Sequence, residues 1–137
     1  MRAQNRGMGK VAPKVRIKRI YDDPAPDDGA RVLVDRLWPR GKSKEALKLD
    51  LWEKEVAPST EVRKAFGHEV ERYERFRRDY LLELEKNPVA AQFAKLVETT
   101  LKKQPVTLVY GAKDETINQA VVLKEWLEGQ MSSGRKG

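Results

Sequence analysis

Two short apolar runs constrain this chain more than any other feature. Arg31–Leu37 carries Val32-Leu33-Val34 without a polar break, and Pro105–Tyr110 reads PVTLVY. Unbroken runs this short suit strands covered on both faces, the usual state of a parallel sheet. A third run, Val15–Tyr21, alternates imperfectly and suits an edge or half-exposed strand. Parallel strands need long crossovers, and helical periodicity fills the intervening chain.

Ser43 caps a short helix through Lys48, Leu51–Val56 reads as a further helical turn, and Ser59 or Thr60 caps a helix through Phe66 that Gly67 stops. In Glu69–Glu85, Val70, Tyr73, Phe76, Tyr80 and Leu84 recur at three- and four-residue steps, one apolar stripe. Asn87-Pro88 opens another helix through about Lys103, with Val89, Phe93, Leu96, Val97 and Leu101 inward. Thr116 with Gln119 fits a capping box for a last helix that Gly129 ends. The expectation is a small α/β domain over residues 15–128, with a few-stranded parallel sheet under several helices. Residues 1–14 read as a disordered basic arm and residues 129–137 as a flexible tail.

The 137 residues suffice to bury a core without crosslinks. There is no cysteine, which excludes disulfides, a thiol nucleophile and cysteine metal sites. The net charge of +7 invites a nucleic-acid reading, but Arg2, Arg6, Lys10 and Lys14 hold four of those units, and Arg135 and Lys136 two. Residues 15–128 are left at +1. No secretory h-region opens the chain, and no apolar run approaches the ~20 residues of a membrane span. A cytoplasmic location is expected, with no membrane partner.

Chemistry is expected at the loops that follow the two buried-type strands. In parallel α/β sheets, ligands bind beyond the carboxyl ends of the strands. In the first loop Arg36, Arg40 and Lys42 are cationic donors, Gly41 lets backbone amides approach, and Trp38 offers a flat face. The stretch Arg36–Lys48 carries +4. The second loop contributes Tyr110, Lys113, Asp114 and Asn118. His68, the one histidine, and Asp114 are the candidates to move protons. The structural alternatives are that Arg36 pairs with Asp35 or Asp114, Trp38 joins the core, Asp114 caps a helix and His68 is a cap or surface residue. The aspartates of Asp22–Asp28 lack calcium-loop spacing and read as a solvated turn; no metal or cofactor is expected.

The segments RVLVDRLWPRG, APS…R…FGHE…F and TLVYGAKDETIN together resemble the YeaO-like family of small bacterial and archaeal proteins, within the domain family of unknown function DUF488. The resemblance covers roughly residues 15–128 and implies an α/β domain, but supplies no activity. Relatives commonly carry histidine just before the last asparagine, where this chain has Ile117. Longer, more distant relatives carry cysteines near that motif, and this chain has none.

Three functions are then open. The first is a pocket for a phosphate- or carboxylate-bearing small molecule. The second is a nucleic-acid-binding module or regulator using the basic tails and the Arg-rich loop. The third is a homo-oligomer formed through the aromatic helix face.

Overall fold

The computed structural model describes residues 15–136. Its elements, in chain order, are β1 (Val15–Arg19), β2 (Ala30–Leu33), α1 (Lys44–Leu47), β3 (Leu51–Trp52), α2 (Thr60–Phe66), α3 (Tyr73–Lys86), α4 (Pro88–Leu101), β4 (Val106–Tyr110) and α5 (Gln119–Lys136). The four strands form one sheet in the order β1-β4-β2-β3, and every pair is parallel. This is the small parallel α/β fold expected from the apolar runs.

β4 is central, and all five of its residues are buried. Side chains alternate across a strand. Val106, Leu108 and Tyr110 face the main core, with Phe76, Tyr80, Phe93, Leu123 and Trp126 from the helices. Val109 faces a smaller cluster of Ile20, Leu33 and Leu47, closed by Trp38 and Trp52. Both faces are covered, which explains the unbroken apolar run. Thr107 shares the second face, where its hydroxyl donates to the Asp28 carbonyl at 2.7 Å.

That bond shows how the β1–β2 connection is built. The aspartate-rich segment is not wholly a solvated turn: Asp28 is buried. Its carboxylate accepts from Lys18 Nζ at 3.1 Å, Arg31 Nη1 at 2.8 Å and the Ala25 N–H at 3.0 Å. Burial alone would raise the Asp28 carboxyl, but those bonds outweigh it and hold the pKa below the ordinary value. Next to it, Gly29 has φ +66°, and a Cβ there would meet the Pro105 carbonyl oxygen at 2.2 Å. Only glycine fits this approach of β2 to β4.

Local capping sets several helix ends as the sequence predicts. Ser43 Oγ accepts from Ala46 N, Ser59 Oγ from Val62 N, and Asn87 Oδ1 from Val89 N. Elsewhere tertiary pairing overrides local preference. Leu51–Trp52 is an edge strand rather than a helical turn, because Asp50 N–H and Glu53 N–H donate to the Arg31 and Leu33 carbonyls at 2.8 and 2.9 Å; only Lys54–Val56 is helical, as a 3-10 turn. Val70 lies in a 3-10 turn ahead of α3 and is 63% exposed, and Leu96 is 49% exposed, so neither faces the core. The last helix begins at Gln119 rather than Thr116, capped by Asn118, whose Oδ1 accepts from Val121 N at 3.0 Å. It runs past Gly129 to Lys136.

The aromatic stripe of α3 is spent inside the chain. Phe76 stacks on Phe66 with ring centres 4.6 Å apart, and Tyr80 is buried with its hydroxyl on the Val56 carbonyl at 2.5 Å. The Phe76 and Tyr80 rings are therefore not free to meet a second copy of the chain. No described helix is long and apolar enough to cross a membrane.

Candidate functional site

β2 and β4 are parallel neighbours, paired from Ala30–Val106 to Leu33–Val109. The loops that follow them therefore leave the sheet at the same end. Between them lies a cleft of about 260 Å³, walled by Asp35, Arg36, Arg63, His68, Gly111 and Gln119 and backed by Ala57 and Pro58.

Asp35 organises this cleft. One carboxylate oxygen accepts the Gly111 N–H at 2.7 Å, the other accepts from the Gln119 amide, and its carbonyl takes the Trp52 indole N–H at 2.7 Å. Burial raises the carboxyl, and the bonds from Gly111 and Gln119 with the nearby Arg63 charge only partly offset it, leaving a pKa of about 6. The group therefore changes charge within the physiological range.

Arg36 donates from Nη2 to the Ala57 carbonyl at 3.0 Å, and its Nε is buried with no partner among the described residues. It pairs with neither Asp35 nor Asp114. Arg63 stands on the second turn of α2. Gly67 and His68 follow in consecutive left-handed conformations, φ 55° and 61°. This reversal holds the imidazole against Phe66, ring centres 5.6 Å apart, at the edge of the cleft. A left-handed histidine costs on the order of 1 kcal/mol, and such strain concentrates at functional positions.

Of the residues singled out in the sequence, the cleft brings together Arg36 and His68. Arg40 and Gly41 are exposed and lie outside its walls. Lys42 sits over the Tyr21 ring, 5.5 Å from its centre. Trp38 meets Trp52 edge-on at 5.3 Å and donates its indole N–H to the Lys42 carbonyl at 2.8 Å, so it closes the smaller core. Tyr110 and Asn118 are fully buried. Lys113 is exposed. Asp114 caps the turn before α5, accepting from Thr116 N and Ile117 N at 2.9 Å each. Those bonds hold its pKa below the ordinary value, which suits a cap. Of the three cations Arg36, Arg40 and Lys42, only Arg36 walls the cleft, where Arg63 and His68 stand with it.

Sequence reasoning alone misses Asp35, Arg63 and Gln119 as residues of the cleft. Asp35 adjoins Arg36 in the strand-end motif, so its position was visible. Arg63 and Gln119 read as ordinary helix residues, and only the packing of α2 and α5 brings them to the strand ends. Among the described residues, no group of three or more His, Cys, Asp or Glu side chains is placed to hold a metal ion.

A parallel sheet with a polar cleft at its carboxyl end, pinned by a half-buried aspartate, defines a small α/β protein with a strand-end cleft. This chain belongs to the DUF488 family: the profile described as "Inactive DUF488-N3 subclade" matches residues 14–136. It is 51% identical over 113 residues to the uncharacterized protein YeaO of Escherichia coli strain K12, covering 82% of this chain and 96% of that one. It is 38% identical over 117 residues to uncharacterized proteins of Mycobacterium bovis and Mycobacterium tuberculosis, covering 85% of this chain and 96% of each. No solved structure matches it.

Proposed function

We propose that the strand-end cleft binds the phosphate or carboxylate group of a small molecule, and that this chain holds its ligand without transforming it. The observation that carries the reading is the meeting of Arg36, Arg63 and His68 around one cleft, with a buried guanidinium N–H of Arg36 left unpartnered. An unpaired buried donor costs about 1–3 kcal/mol, which a ligand oxygen within reach would recover. The non-catalytic part is supported by the description of the matching subclade as inactive, by Ile117 where the resemblance implies a histidine, and by the absence of cysteine. Ile117 packs on the core, so no titratable group replaces that imidazole.

The test is a titration of the full chain with inorganic phosphate and with succinate, followed by backbone amide NMR. Shifts are expected at Gly111, Arg63 and His68. Arg63→Ala should weaken binding about tenfold, the scale of one charge-assisted contact, while Arg40→Ala leaves it unchanged. Equal loss in both variants, or no shift in the cleft at millimolar anion, would defeat this reading.

A nucleic-acid module remains the second reading, favoured by the six units of positive charge in the two terminal segments. Its arm, residues 1–14, lies outside the described residues. Phosphate contacts would make such binding fall steeply with salt. A gel shift comparing the full chain with residues 15–137 decides it.

A further inference from the structure

Arg36 and Ala57 also wall a second cavity of about 390 Å³, between the 3-10 turn Lys54–Val56 and the carboxyl half of α3. The Arg36 guanidinium, anchored on the Ala57 carbonyl, is thus a partition between two open volumes rather than the back of one. The walls of the second volume are braced independently of any ligand. Tyr80 donates to the Val56 carbonyl, the Ser59 N–H to Glu83 Oε1 at 3.0 Å, and Asn87 Nδ2 to the Glu55 carbonyl at 2.9 Å. A cavity framed in this way is preformed, so occupying it does not require ordering a loop.

The charge changes character across the partition. On one side Arg63 and His68 stand with Arg36 and with Asp35, whose two oxygens are taken up by Gly111 and Gln119; on the other are Glu55 and Glu83 against Lys86. One molecule reaching past Arg36 meets the Arg63 guanidinium and the His68 imidazole at one end and the Glu55 and Glu83 carboxylates at the other. We propose that the two cavities form a single trough for a zwitterionic small molecule, its phosphate or carboxylate beside Arg63 and His68 and its amine beside Glu55 and Glu83. This rests on the anion-binding reading and extends it to the class of ligand.

The experiment is calorimetry of the full chain with aminoalkyl phosphates of graded length, each against the alkyl phosphate of the same length, in the wild type and in the double variant Glu55→Gln, Glu83→Gln. Glutamine at 83 keeps an acceptor for the Ser59 N–H, and the Glu55 carbonyl that holds Asn87 is backbone, so the cavity frame is retained. One member of the series should bind about tenfold tighter than its alkyl counterpart. That advantage should vanish in the double variant while the alkyl phosphate binds both proteins alike. No advantage at any length, or an advantage that survives in the double variant, overturns the trough. Failure of every alkyl phosphate to bind would instead remove the anion site beneath it, a separate and recognisable result.

Discussion

The Asp35 carboxylate accepts the backbone N–H of Gly111 at 2.7 Å, across 76 positions of sequence. This bond joins the loop after β2 to the loop after β4 and fixes the width of the cleft between them. A Cβ on Gly111 would lie 3.0 Å from the same carboxylate oxygen. That oxygen has little freedom to retreat, because Gln119 and the Trp52 indole also hold Asp35. Gly111→Ala should therefore cost about 1–2 kcal/mol in urea unfolding, as overpacking does. It should also move the amide resonances of residues 35 and 36. A variant as stable as the wild type would show that Asp35 yields.

Asp35 also sets a pH dependence. Its folded pKa, about 6, lies above the ordinary 3.8, so the fold prefers the protonated acid. Its contribution to stability is fully present below pH 3.8 and is lost as pH rises through 6. At about 1.4 kcal/mol per tenfold in proton affinity, the loss approaches 3 kcal/mol by pH 8. In Asp35→Asn this component is absent. The stability difference, wild type minus variant, should fall by about that amount between pH 4 and pH 8. Parallel pH curves for the two proteins would contradict the raised pKa.

His68 carries a left-handed backbone at the edge of the cleft. Glycine accepts that conformation without a Cβ penalty, so His68→Gly should raise stability by up to about 1 kcal/mol. The same change removes the imidazole, and phosphate affinity should fall severalfold. Thermal denaturation and the phosphate titration report the two effects separately. Affinity unchanged in His68→Gly would leave the residue a turn former only.

Gly29 is the strictest backbone position. Alanine there combines φ +66° with a 2.2 Å approach to the Pro105 carbonyl oxygen, and that oxygen already accepts the Ala30 N–H at 2.9 Å. Gly29→Ala should destabilise by more than about 3 kcal/mol, since main chain rather than a flexible side chain must move. Gly41→Ala is the informative contrast. Gly41 shares the positive φ, +78°, but a Cβ there meets nothing within 4 Å, so its cost should stay near 1 kcal/mol.

The amino-acid sequence by itself determined the elements whose causes are local. The apolar runs at Val32–Val34 and Val106–Tyr110 specify doubly covered strands, and Ser43, Ser59 and Asn87 cap the helices they precede. It also singled out the loop after β2, whose Arg36 lines the cleft. The tertiary structure decided what needs a distant partner. Leu51–Trp52 becomes a strand because the β2 carbonyls at Arg31 and Leu33 stand beside it. Asp28 becomes a buried hub because Lys18 and Arg31 close on it. Trp38, Tyr110 and Asn118, each plausible at a ligand, are drawn into the packing. Arg63 and Gln119 reach Asp35 only because α2 and α5 pack beside the strand ends, separated from it by 28 and 84 positions. A charge that acts through space leaves no periodicity or spacing along the chain to announce it, which is why Arg36 at the cleft is legible in the sequence and Arg63 is not.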